Sequence, residues 1–412
     1  MLWVTEEPPD SMLGGGNIRQ SYLFTALASV IPTDLLVAAE VKDTRIRELA
    51  ANVIELRPHP MPRSEHPVGR RALELAIVLG SRYPASVFAA TANRRALARS
   101  IREREQQYDV VLIEHEALAP LLPRRRTAAW MITFHHVLSA MITEELRLAP
   151  GRRQRWFRVR DLAKAQHLER QALGNYDCSI VCSDLDAARL RSLGAGGVDD
   201  RLVVIPNGVD LAALRPTPLP RARSVLFPGT LGWPPNVDAA RWLCTEVWSR
   251  VVAEVSDAKL VLAGRSPSPE VIELTRHQGV SVEPDVPSMA PYFHAARVVV
   301  VPLRVGTGTR IKALEAMGAA RPVVGTETGL EGIGVRDGVQ ARVADSPEAF
   351  AAALIEILKQ DDKAEALAHA ARAHVEGHFG WDRIGEEFVQ LVSRRLHEAP
   401  PHVALRSSSN SA

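Results

Sequence analysis

The chain carries two successive series of short, β-branched apolar runs set between longer amphipathic stretches, and the proline-rich segment LAALRPTPLPRAR (211–223) divides the two series. Runs of four to seven such residues, each followed by a segment of helical spacing, predict right-handed parallel βαβ units. The first series comprises MLWVTE, DLLVAA (34–39), NVIEL (52–56), DVVLIEHE (109–116), AAWMITFHH (128–136), DCSIVCS (177–183) and RLVVIPNGVD (201–210). The second comprises SVLFPGT, AKLVLAG, VSVEP, RVVVVPL, RPVVGT and GVQARVA. Near-continuous apolar runs such as RVVVVPL fit strands covered by helices on both faces. Helices are predicted over 17–30, 152–173, 184–193, 236–251 and 268–277, and after the glycine turn that follows RVVVVPL. The prolines of 211–223 lack a backbone donor and disfavour helix in the residue before each, which predicts a linker. The expectation is two doubly wound parallel-sheet α/β domains, 1–210 and 224–378, then a helix within 379–398 and a disordered tail, 399–412.

A length of 412 residues agrees with two cores rather than one. The net charge of +2 gives no electrostatic case for nucleic acid. No apolar run is long enough to span a bilayer, and the start of the chain lacks a signal-peptide layout. Three cysteines cannot all pair within one chain, and Cys178 and Cys182 lack zinc-finger spacing. These features predict a cytoplasmic protein with reduced thiols.

The chemistry concentrates in VPLRVGTGTRIKALEAMG (301–318). In an open parallel sheet, ligands sit beyond the carboxyl ends of the strands, which is where this stretch turns from strand to helix. Gly306 and Gly308 allow close backbone approach, and Thr307 or Thr309 is placed to cap the helix. Position 312 is Lys rather than Glu, so no capping box closes and first-turn N–H groups stay open. Those N–H groups, the helix dipole, Arg310 and Lys312 make an anion site suited to phosphate. Glu315 follows one turn later, within reach of a ribose attached to a helix-bound diphosphate. The plainer alternative is an ordinary βα turn with Arg310 and Lys312 solvated and Glu315 paired to Lys312. The stretch is neither a Walker loop nor the first turn of a GxGxxG fold.

Residues 301–333 resemble the signature of retaining glycosyltransferases of family 4, the glycogen-synthase-like group with the GT-B fold. VVIPNGVD (203–210) resembles that family's hinge, and VLFPGTLGWPPNVDAARWL the opening of its donor domain. The resemblance covers most of the chain and is weakest over 57–105. It implies two Rossmann-like domains facing a central cleft, with a nucleoside-diphosphate sugar (UDP- or GDP-sugar) on the C-terminal domain and a hydroxyl-bearing acceptor on the N-terminal one. It also implies that the last helix crosses back onto the N-terminal domain. By position, Glu315 would bind ribose and the 306–309 backbone with Arg310 and Lys312 would face the diphosphate or sugar. The loop at Pro284, Asp285 and Val286 would lie beside the base. DSMLGGGNIR resembles the family's glycine-rich loop, with Gly15 and Gly16 as its paired glycines and Arg19 as the following Arg. His135 in ITFHHVLS matches the active-site histidine and His136 its neighbour.

Two departures stand out. Thr307 occupies the place of the first Glu of the family's Glu-x7-Glu, and GTLGWPPN lacks the Arg and Lys that many members use for diphosphate. Arg265, or Arg310 with Lys312, are candidate substitutes. Asp184-Leu185-Asp186 imitates a metal-binding Asp-x-Asp but opens a helix, where Ser183 or Asp184 caps and Asp186 suits the dipole. The expected reaction is therefore metal-independent transfer of a sugar with retention, with catalytic roles on His135, Lys312 and Glu315 and no cofactor. Basic clusters LPRRRT (122–127) and GRRQRWFRVRD (151–161) suit either a solvated helix face or contact with the inner membrane surface near a lipid-linked acceptor. The rival functions are a nucleotide-sugar epimerase on the same fold and a non-catalytic nucleotide-sugar-binding module.

Overall fold

The computed structural model describes residues 1–9, 15–57, 80–84, 87, 91–123, 125–148, 151–194, 200–306 and 310–398. Most of the glycine-rich loop (10–14), Thr307, Gly308 and Thr309, and the tail 399–412 lie outside the described residues. The chain divides into two compact units, Met1–Ile205 with a segment from Gly385 onward, and Pro206–Ile384.

The first unit is built on seven parallel strands: β1 (Leu2–Thr5), β2 (Asp34–Val37), β3 (Val53–Glu55), β4 (Val110–Glu114), β5 (Ala129–Thr133), β6 (Cys178–Val181) and β7 (Leu202–Val204). Their order is β3-β2-β1-β4-β5-β6-β7. The register sets Val4 beside Ile113 and Glu114 beside Thr133. Every residue of β1, β4 and β6 is buried, which is what β-branched and aliphatic runs do when helices cover both faces. The chain runs one way from β1 to β2 and the other way from β4 to β5, so the topological switch lies between β1 and β4. From Gly385 onward the last helix, Trp381–Glu398, belongs to this unit, and Phe388 meets Trp3 edge-on at 6.0 Å.

The second unit has six parallel strands: β8 (Ser224–Pro228), β9 (Lys259–Gly264), β10 (Val280–Pro284), β11 (Val298–Val301), β12 (Val323–Gly325) and β13 (Arg342–Val343). Their order, β10-β9-β8-β11-β12-β13, puts the switch between β8 and β11. The segment 211–223 is fastened to this unit. Arg321, fully buried, donates to the carbonyls of Thr217 and Pro218, and Arg297 donates to that of Pro220. A proline has no N–H to offer but keeps its acceptor, and buried guanidinium groups with several donors satisfy it.

Three elements differ from expectation. The helix expected over 236–251 runs Pro234–Trp242, widens into a π-turn at Leu243–Val247 and resumes at Trp248–Glu254. The helix expected over 268–277 is one α-turn, Pro269–Ile272, tightening into a 3-10 turn. The strand expected in GVQARVA shrinks to Arg342–Val343, because at the sheet's edge only β12 pairs with it.

Candidate functional site

In the second unit the chemistry gathers at the carboxyl ends of β8 and β11. The helix Ile311–Gly318 begins there with Arg310 in its N-cap position, whose side chain makes no cap bond; the expected caps, Thr307 and Thr309, lie outside the described residues. Among the described residues nothing accepts from the N–H groups of Ile311 and Lys312, while Ala313 N–H donates to the Arg310 carbonyl at 2.9 Å. Two donors at the positive end of the helix are thus open to an anion. Arg310 is buried, donates from Nε to the Thr328 carbonyl at 3.4 Å and lies across Gly306, whose φ is +123°.

Lys312 turns back toward β8. Its Nζ donates to Asn236 Oδ1 at 2.8 Å and sits 5.2 Å from the Phe227 ring centroid. Asn236 is held in turn by its Nδ2, which donates to the Thr230 carbonyl at 2.8 Å. Burial, and then the Arg310 charge, push Lys312 down to about 7. Glu315 forms no hydrogen bond or ion pair among the described residues, and burial pushes it up to about 7 against the attraction of Lys312. The plain alternative of a Glu315–Lys312 pair is therefore not the arrangement found: the lysine chose the amide, and the carboxylate has spare acceptor capacity.

The rest of this rim is backbone-built. A Cβ on Gly264 would stand 1.7 Å from the Gly229 carbonyl oxygen, so the β8 and β9 turns cross in contact. Asp285, at φ +50°, accepts from Ser266 N–H through Oδ1 at 2.8 Å and donates its own N–H to the Gly264 carbonyl at 2.7 Å. Asp285 and the part-buried Val286 thus lie on the same rim as Arg265, whose carbonyl accepts from Leu231 N–H. The Arg265 side chain makes no ion pair among the described residues. Pro234 and Pro235 open the helix after β8, so that helix offers an anion almost no N–H groups.

In the first unit a second cluster lies at the ends of β4 and β5. Gln20 donates to Thr5 Oγ1 at 3.0 Å, tying the helix Gly15–Ala28 to β1, and the same helix buries Arg19. Gly16 packs against His135, where a Cβ would stand 2.5 Å from Nδ1. The other ring nitrogen, Nε2, donates to Glu114 Oε1 at 2.5 Å, and His135 N–H donates to Glu116 Oε2 at 3.0 Å. His136 Nε2 reaches Glu116 Oε1 at 3.1 Å. His115, at φ +87°, accepts from Ala117 N–H through Nδ1 at 3.1 Å, and its ring lies 5.0 Å from that of His135. Burial pulls His115 down to about 4, whereas burial acts to raise Glu116 and is outweighed by the charge attraction of the surrounding histidines, which holds that acid below the ordinary carboxylate range. The structure thus brings Gly16 and His135 together, with His136 beside them. It adds Glu114, His115 and Glu116, which the sequence pattern presents only as the end of a strand run.

A substitution follows from this packing. Gly16→Ala should displace the His135 ring without deleting it, and circular dichroism should show a folded protein. Turnover with a cognate substrate should fall at least tenfold while affinity for ligands of the second unit holds; wild-type turnover would take His135 out of the working site.

Two further sequence features lie as follows. Ser183 caps the helix Asp184–Arg191, with Asp186 N–H donating to its Oγ at 3.1 Å and Oγ donating to Asp186 Oδ2 at 2.8 Å, so Asp186 is engaged as a cap partner. The helix Arg152–Asn175 exposes Trp156 and Val159, with the Arg160 guanidinium 4.8 Å from the Trp156 ring. No helix among the described residues is long and apolar enough to cross a membrane.

Comparison with known proteins adds the following. Residues 222–360 match the family described as glycosyl transferases group 1, and residues 46–213 match glycosyltransferase family 4. A D-inositol 3-phosphate glycosyltransferase of Acidothermus cellulolyticus is 26% identical over 93% of this chain and 86% of its own length. One from Kineococcus radiotolerans is 31% identical over 53% of this chain and 58% of its own. Among solved structures, sucrose-phosphate synthase from Thermosynechococcus elongatus superposes with a TM-score of 0.70 at 21% identity, covering 97% of this chain and 99% of that one. Anabaena HepE in complex with UDP-glucose does so with a TM-score of 0.63 at 13% identity, covering 95% and 99%. These likenesses establish the GT-B fold.

Proposed function

We infer from a chain that belongs to the group 1, family 4 glycosyltransferases that its second unit binds a nucleoside-diphosphate sugar at the β8–β11 switch, and that the enzyme transfers that sugar to a hydroxyl. One observation carries the reading: among the described residues Glu315 stands without a partner, one turn inside a helix whose entry holds Arg310, Lys312 and two N–H groups that no described residue accepts from. The N–H groups and cations take the diphosphate, and Glu315 accepts from the ribose hydroxyls. The base lies toward Asp285 and Val286. Lys312 Nζ sits 2.9 Å from where a Cβ on Gly229 would be, at the end of β8. There it supplies the charge that GTLGWPPN lacks, and Asn236 keeps it in place.

As the bond to the sugar breaks, negative charge grows on the leaving diphosphate, and donors already aimed at it stabilise that charge without rearrangement. Protein cations and N–H groups suffice for this role, so we propose transfer without a metal and with retention at the anomeric carbon. His135, locked through Nε2 by Glu114, acts by orientation. UDP-glucose, bound in HepE, is the first donor to try, and an inositol phosphate, named for the relatives, the first acceptor.

The test is the binding of UDP and GDP by calorimetry in two buffers of different ionisation enthalpy. Lys312→Met should weaken the preferred nucleotide about tenfold or more, the loss of one charge-assisted contact. A bound diphosphate favours the lysine ammonium, so Lys312 gains a proton on binding near pH 7. Ribose hydroxyls favour the Glu315 carboxylate, so Glu315 releases one. At pH 7 Glu315→Gln should leave net uptake and Lys312→Met net release, each about half a proton. Unchanged affinity and unchanged proton exchange in both variants would remove the diphosphate from this turn.

A further inference from the structure

We propose that His115, Glu116 and His136 form a binding site for a divalent transition-metal ion of the zinc class. One donor atom from each lies within 4.8 Å of the others. A tetrahedral zinc ion holds its ligand atoms about 3.4 Å apart, so small side-chain rotations close the set. Two imidazoles and one carboxylate select zinc, copper, nickel or iron over magnesium and calcium, which prefer oxygen.

Three further observations point to a cation. Glu116 is almost fully buried yet surrounded by imidazoles, and its Oε2 is fixed by the His135 N–H, the arrangement that holds a ligating carboxylate in place. Glu114, equally buried and next in sequence to His115, bonds His135 through Oε1, while its Oε2 has no hydrogen-bond partner. The cluster therefore carries two buried acids and an unfilled acceptor. His115 is held at φ +87°, a conformation costly for a residue with a Cβ and retained where its neighbours impose it. The ion would sit beside His135 and bind Glu116, so its presence should inhibit transfer, while the binding itself stands whether or not the chain is a transferase.

The experiment uses the full chain, stripped with chelator and kept reduced. Titrated with Zn2+ against a coloured zinc chelator, it should bind one equivalent with a Kd in the micromolar range or below. Both His136→Gln and the partly exposed His115→Ala should weaken binding at least tenfold, each checked for folding by its melting curve. Cobalt in place of zinc should give the weak visible bands of nitrogen and oxygen ligation. No saturable equivalent, equal affinity in whichever variants fold, or an intense thiolate band from Cys178 or Cys182 would each overturn the assignment.

Discussion

Replacing Glu315 by alanine is expected to lower kcat/KM for sugar transfer about 100-fold, equivalent to about 2.7 kcal/mol, while leaving the protein more stable at neutral pH. The two halves have one cause. Hydrogen bonds to an ionised carboxylate contribute roughly 1.5–3 kcal/mol each, and a ribose offers two hydroxyls. Among the described residues that carboxylate has no hydrogen-bond partner, and burial raises it to about 7 from an ordinary value of 4.5. An acid whose pKa is higher in the folded than the unfolded chain stabilises the fold below its unfolded value, and loses that contribution as pH rises through the folded one. Wild-type stability should therefore fall, relative to Glu315→Gln, as pH is raised from about 5 to about 8. The relative loss is on the order of 1–2 kcal/mol after discounting for partial exposure. Melting temperatures across that range and steady-state kinetics at pH 7.5 measure both halves. A variant that keeps its turnover, or one that melts lower throughout, would leave Glu315 an ordinary structural acid.

The same residue shows what could be read before any coordinates. Strand runs such as RVVVVPL were legible because burial on both faces demands unbroken apolar sequence, and the parallel order follows from their alternation with helices. Glu315 was legible because a carboxylate one turn inside a helix that opens on a phosphate-suited turn lies within reach of a ribose. Asn236 was not, since its role depends on Lys312 from another βα unit, and no local pattern encodes that meeting. Glu114, His115 and Glu116 were hidden for a different reason: polar residues ending a buried run look like the strand's last turn outward. Only the register that sets Glu114 beside Thr133 carries them to His135 and His136. The π-turn at Leu243–Val247 interrupts a stretch that apolar spacing presents as one continuous helix.

Gly264→Ala should be the most damaging single methyl that can be added to the second unit's rim. At φ +148° an L-residue is strained, and the new Cβ would lie 1.7 Å from the Gly229 carbonyl oxygen, a backbone atom that cannot rotate away. The two turns would have to separate, breaking the bond from Gly229 N–H to the Ala263 carbonyl and moving the Gly264 carbonyl that Asp285 uses. A cost of about 3–5 kcal/mol follows, or a melting temperature lower by about 10 °C in a unit of this size. Two controls separate the causes. Gly338→Ala, at φ +72° with open space around it, carries backbone strain alone and should cost about 1 kcal/mol. Gly377→Ala, within a helix and facing nothing within 4 Å, should gain about 0.5–1 kcal/mol. Thermal melts of the three variants should fall in that order, and nucleotide binding should weaken only in the first. If Gly264→Ala melts no lower than Gly338→Ala, the β8 and β9 turns are not in contact, and the proposed grouping of Arg265, Asp285 and Lys312 around one ligand fails.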